Sequence, residues 1–176
     1  MILDLVPIYF SDEQPLLERL ASRLEESFQI RTRTRNPWFD PEVSYDRARG
    51  QYNSTVLLRM LLDDPQSSEG KILGITSVDL FIPVLTYVFG EAQLQGRAAT
   101  VSIHRLRPEA YGLPSNDALL YRRLETEAVH ELGHTYGLVH CNNATCVMRA
   151  STYAEDIDLK SPMFCRACLD IVRRRG

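Results

Sequence analysis

His130-Glu131-Leu132-Gly133-His134-Thr135-Tyr136-Gly137-Leu138-Val139-His140 is the stretch that decides how this chain is read. His130 and His134 are four residues apart. On a helix that spacing stacks two imidazoles on one face, one turn apart, within reach of one ion. Glu131 follows the first histidine and can point beside the metal. Gly137 comes three residues after His134, and glycine enters the left-handed region without a Cβ penalty, so it is a natural helix stop. The chain can then turn sharply and return His140 as a third ligand. Three neutral imidazoles leave the fourth tetrahedral position open, the arrangement of a catalytic zinc site. A lone HExxH arises readily by chance. The added glycine and third histidine are far more demanding, and they favour a metal site over ordinary helix residues.

Working outward, the helix begins at about Asp117 and carries Leu120, Leu124, Ala128 and Leu132 down one face. Upstream, residues 2–10 read as a strand rather than a signal peptide, because Asp4 interrupts the apolar run and no basic segment precedes it. Ser11 and Asp12 are candidate caps for a helix with Leu16, Leu17, Leu20, Leu24 and Phe28 at helical spacing. Residues 28–35 alternate as a strand whose outer face, including Arg31, Arg33 and Arg35, reads as solvated. A helix is expected over 45–62, a polar loop over 66–70 and a buried strand over 71–81. An extended segment over 85–89, an excursion between Gly90 and Gly96, and a strand over 98–106 follow. This order predicts an α/β sandwich with some parallel pairing.

The chain has 176 residues, enough for one domain burying roughly 70% of its unfolded surface. A 44% hydrophobic and 24% charged composition excludes a mostly disordered chain. The net charge of −3 argues against a protein built around nucleic acid. The longest apolar stretch, residues 80–90, is too short to cross a membrane, which takes about 20 residues. All four cysteines, Cys141, Cys146, Cys165 and Cys168, follow the histidines closely. Clustered thiols with no secretion signal suggest a cytoplasmic protein in which they bind metal. Two disulfides, or a C-x-x-C redox pair, are the rival readings. Met148 by itself would be core filler, His104 a surface or core residue, and Arg173–Arg175 a solvated terminus.

HExxHxxGxxHC at 130–141, C-x4-C-x-M through Met148, and the distant C-x-x-C at 165–168 together resemble the archaemetzincins, a family of metzincin zinc peptidases. Residues 80–83 and 87–92 are similar to that family as well. The resemblance implies a compact metzincin-like sandwich, with a twisted mixed sheet over the active-site helix and an antiparallel edge strand along which substrate could lie. It implies one domain over 1–176, divided at about 137/138, whose C-terminal part is stabilised by a structural zinc on Cys141, Cys146, Cys165 and Cys168. Met148 becomes the Met-turn residue, packing beneath the metal without ligating it. Two zinc ions per chain follow, the catalytic one on His130, His134 and His140.

The reaction implied is hydrolysis of peptide bonds. Zinc lowers the pKa of its water to about 7, and Glu131 acts as general base and then passes the proton to the leaving amine. Some metzincins place a tyrosine two residues after the turn methionine; Ala150 stands there in this chain. Aminopeptidase action on short peptides would need a carboxylate for the free α-ammonium. Glu91 is the preferred candidate and Glu127 the other, although either residue alone reads as a solvated surface acid. A zinc-stabilised peptide- or protein-binding module with little hydrolysis is the alternative, which an intact Glu131 disfavours. The partners expected are a peptide substrate, with no nucleic acid and no membrane, and a monomeric state.

Overall fold

In a computed structural model, residues 1–10, 13–66 and 70–175 are described. Strands β1 (Ile2–Ile8), β2 (Arg31–Thr34), β5 (Lys71–Thr76), β7 (Gly90–Ala92) and β8 (Ala98–Ser102) form a mixed sheet in the order β2-β1-β5-β8-β7. All pairs are parallel except β7–β8, which is antiparallel, and β7, last in the order, is an edge strand. Strand alternation sorts the apolar residues onto two faces. Leu3, Leu5, Leu73, Ile75, Ala99 and Val101 join one core with helices α1 (Gln14–Phe28) and α3 (Asp117–Thr135). Val6, Ile8, Ile72 and Ala98 join a second core with α2 (Ser54–Leu62) on the opposite face. Short helices α4 (Ala154–Asp158) and α5 (Arg166–Arg175) complete the chain, and Ala154, Ile157, Cys168 and Val172 enter the first core.

Several expectations change in detail. The helix expected over 45–62 is a hairpin followed by a shorter helix: β3 (Tyr45–Asp46) and β4 (Gln51–Asn53) pair antiparallel, and β4 pairs with β6 (Leu80–Phe81) in a separate three-stranded sheet. Gly50, at φ 66°, closes the turn, and the Asn53 side chain accepts from the Thr55 and Val56 amides to start α2. The strand expected over 71–81 therefore breaks after Thr76. Phe28 closes α1 instead of opening β2, with Gln29 in the left-handed conformation. The segment expected to be extended over 85–89 is mostly bends, with Val88 alone bridging to Leu80. The strand over 98–106 ends at Ser102 and runs into a 3-10 turn at His104–Leu106, where His104 is exposed. Ser11 and Asp12, and residues 67–69 of the expected loop, lie outside the described residues.

The arginine face of β2 is not simply solvated. Asp4, pointing to the α2 face from β1, is buried and receives Arg33 Nε at 2.8 Å and Arg35 Nη1 at 2.7 Å. Arg35 also reaches Asp64 at 2.9 Å. Burial raises the Asp4 carboxyl, but hydrogen bonds from the two guanidiniums outweigh it and hold its pKa below the ordinary 3.8. A depressed folded-state pKa stabilises the fold above the unfolded value, and that stability is lost as pH falls through the folded value. Asp4→Asn should cost roughly 3 kcal/mol, as for breaking one side of a buried ion pair. The loss should be largest near neutrality and vanish in acid. Urea melts of both proteins at pH 7 and pH 3 check it; an equal difference at both would contradict the ion-pair account.

Candidate metal centre and cleft

The Asn116 side chain starts α3 by accepting from the Leu119 amide, and the helix ends at Thr135. Its last turn closes as a Schellman motif: Gly137 N donates to His134 O at 2.8 Å and Leu138 N to Gly133 O at 3.1 Å. Gly137 takes φ 78°, the left-handed conformation its position required. The turn brings His140 back beside the helix. The ring centroids of His130, His134 and His140 are 4.7, 5.3 and 5.1 Å apart pairwise, and one nitrogen from each lies within 4.8 Å of the others.

Hydrogen bonds settle which nitrogens are available. His130 Nδ1 lies 2.8 Å from Val147 O, and His134 Nδ1 lies 2.7 Å from Leu138 O. A carbonyl only accepts, so each Nδ1 carries the proton and each Nε2 a lone pair. The two Nε2 atoms are 3.1 Å apart. Two lone pairs at that distance repel unless a cation sits between them. A tetrahedral ion with bonds of about 2.0–2.1 Å separates its ligands by roughly 3.3–3.4 Å, so the donor set fits zinc. Burial also holds both rings below their ordinary pKa, favouring the neutral form that a metal needs.

Glu131 is buried in the same cleft, and burial, followed by the Glu127 charge, raises its pKa well above the usual range. It packs against β7 at Gly90, where a Cβ would lie 2.7 Å from Glu131 Cγ. Ser102 N donates to Phe89 O and Gln93 N to Ala98 O. By the alternation of an antiparallel ladder, Gly90 and Ala92 therefore turn their N–H and C=O groups away from β8, along the open edge. The cleft beside this edge has a volume of about 770 Å³. Its lining includes Ile82, Leu85, Tyr87, Leu94, Val139 and Tyr153, together with the three histidines. Glu91, Glu127 and Glu131 are its charged lining residues, and no Lys or Arg lines it among the described residues.

The second cluster brings the Sγ atoms of Cys141, Cys146, Cys165 and Cys168 within 4.8 Å of one another. All four are free thiols, with Cys141 and Cys165 Sγ 3.9 Å apart, so the disulfide reading does not hold. Four thiolates can close the coordination sphere of a structural zinc. Met148 is fully buried, its sulfur packed against Gly133, and its carbonyl accepts from Cys141 N at 2.9 Å. The methionine segment thus joins the active-site helix to the third-histidine segment.

The two candidate anchors separate. Glu91 sits on edge strand β7, half-buried, and both its oxygens accept from Thr55 Oγ1 at 2.9 and 3.1 Å. Glu127 is not a surface acid: it is buried at the cleft wall, with Lys160 Nζ 3.1 Å from its Oε1. Lys160, itself buried, escaped the sequence reading, as did the carbonyls of Val147 and Leu138. The terminus departs as well, since Arg175 Nη1 donates to Tyr136 O at 3.0 Å and helps close the end of α3.

Two histidines on α3 with a third returned beside them, a buried carboxylate next to them and an open sheet edge above fit a zinc metallopeptidase, the class to which the chain's relatives belong. The family model described as Peptidase family M54 matches residues 23–174. The archaemetzincin of Methanopyrus kandleri is 37% identical over 175 residues, covering 95% of this chain and 94% of that protein. That of Methanocaldococcus jannaschii is 46% identical over 136 residues, covering 77% of this chain and 74% of that one. The crystal structure of the M. kandleri archaemetzincin aligns with a TM-score of 0.83 at 35% identity, over 99% of this chain and 94% of that one. The chain belongs to peptidase family M54, as its motifs implied. Among the described residues no helix is long and apolar enough to cross a membrane.

Proposed function

We propose that this chain hydrolyses short peptides from a free N-terminus, with His130, His134 and His140 holding the catalytic zinc and Glu131 as general base. The observation that carries the reading is the pair of Nε2 lone pairs, fixed by Nδ1 bonds to Val147 and Leu138, converging beside a buried glutamate. Zinc held there supplies Lewis-acid activation of water and of the scissile carbonyl. Glu131 takes the proton from the attacking water and hands it to the leaving amine. Gly90 and Ala92 offer backbone groups to an extended peptide, which would add a strand to the sheet. Ala150 leaves the position two residues after the turn methionine without a phenol, and Tyr153, which lines the cleft, has no assigned role. Cys141, Cys146, Cys165 and Cys168 hold the structural zinc. One core drawing on residues from Leu3 to Val172 supports a single domain. Cysteines free of disulfides suit a cytoplasmic protein in a reducing compartment.

The cleft carries carboxylates and, among the described residues, no Lys or Arg, which supports a preference for a cationic terminus over acidic side chains. With Glu127 committed to Lys160, Glu91 is the anchor, exchanging its Thr55 contact for the substrate ammonium. Paired free and N-acetylated peptides test it. Acetylation should lower kcat/KM roughly tenfold or more, the equivalent of a charge-assisted hydrogen bond of about 1.5 kcal/mol, and Glu91→Gln should narrow the gap. Equal cleavage of both members at internal bonds would replace this with an endopeptidase reading.

A further inference from the structure

We propose that the buried Lys160–Glu127 pair is a positioning device for the histidine metal centre, fixing the methionine turn against the helix that carries His130 and His134. Lys160 Nζ has no exposure and donates to Val147 O at 3.2 Å and Arg149 O at 2.8 Å, the carbonyls on either side of Met148. Its third contact is the ion pair with Glu127 Oε1 at 3.1 Å. Glu127 lies on α3, three residues before His130 and four before Glu131, on the same helix face. The carbonyl of Val147 is shared: it takes one proton from Lys160 and one from His130 Nδ1. The ammonium therefore orients the group that fixes the His130 tautomer, and outer partners of this kind tune metal ligands.

A stabilising role alone does not account for the pair. Apolar residues of similar volume usually serve a core at least as well as a buried ion pair, whose desolvation offsets its attraction. What the pair adds is direction, because one ammonium joins α3, the 147–149 turn and the segment after α4. The end of α4, two residues before Lys160, has its own anchors, in Arg122 donating to Asp158 O at 3.0 Å and Arg123 paired with Asp158 at 2.6 Å, and Arg122 also reaches Lys160 O at 3.4 Å. Loss of the Lys160 side chain therefore leaves its backbone attached.

The test compares Lys160→Met with the double variant Glu127→Gln/Lys160→Met, which leaves no stranded buried charge. Chelator competition reads the histidine-bound zinc, with the cysteine-bound zinc as internal reference, and turnover is split into kcat and KM. Lys160→Met should weaken histidine-site zinc about 10–100-fold and lower kcat by a similar factor, with KM within about twofold of wild type and the cysteine site unchanged. The double variant should regain thermal stability but neither zinc affinity nor kcat. Restoration of all three in the double variant would overturn the proposal, as would wild-type zinc retention in Lys160→Met. Failure of both variants to fold would make the pair structural and overturn it equally. The inference uses the histidine assignment, but its zinc readout stands whether or not the peptides above are cleaved, so the two readings fail separately.

Discussion

Glu131→Gln should abolish most peptide hydrolysis, lowering kcat about 10²–10⁴-fold, the usual contribution of a positioned general base. The change is nearly isosteric at a buried position, so packing against Gly90 survives. The histidine-bound zinc should also survive, because no ligand is removed. In protein stripped of that zinc, the variant should melt at or above the wild-type temperature. Burial holds the Glu131 carboxyl well above its ordinary range, and a neutral amide removes that cost. His134→Ala provides the contrast, losing the zinc together with the activity. Full turnover by Glu131→Gln would remove the base from the mechanism and leave only the metal.

Loss of the cysteine-bound zinc should loosen the C-terminal part while the sheet persists. Structural zinc contributes about 10–16 kcal/mol in small zinc-binding peptides, comparable to the whole stability of a domain at about 5–15 kcal/mol. Here the ion would join Cys141, next to His140, to Cys165 and Cys168 at the start of α5. The backbone bonds between the two regions are few, among them Val147 N to Met163 O at 3.0 Å and Ser161 N to Thr145 O at 2.9 Å. Cys168→Ser should therefore raise amide exchange across residues 140–175, leave β1, β5 and β8 protected, and weaken zinc at the histidine site through His140. Unchanged protection of residues 140–175 would mean that packing alone holds this region.

What could be read in advance was what is local in sequence. The His130–His140 spacing and the Gly137 stop encode their geometry in offsets that a helix turn or a tight loop converts directly into proximity, whereas Met148 and the joining of Cys141 and Cys146 to Cys165 and Cys168 are legible only through the family resemblance. The hairpin within 45–62 left signals that helical spacing overrode: Gly50 for the turn and Asn53 for the cap. Partners distant in sequence leave no such trace. An acid on a helix face reads as solvated, and only the fold brings Lys160, 33 residues later, against Glu127. Asp4 likewise reads as a blemish in an apolar strand until Arg33 and Arg35 arrive in the neighbouring strand's register. The carbonyls of Val147 and Leu138 that set the histidine tautomers belong to the backbone, which no residue pattern identifies.

The most direct test of the central claim is zinc content measured alongside hydrolysis of a short free-N-terminus peptide as a chelator is titrated in and zinc is then returned. The open histidine site should empty before the closed cysteine site. Hydrolysis should fall in proportion to that first zinc, with the fold unchanged by circular dichroism, and return when zinc is restored. Hydrolysis that continues undiminished after the histidine-bound zinc has gone would contradict the account.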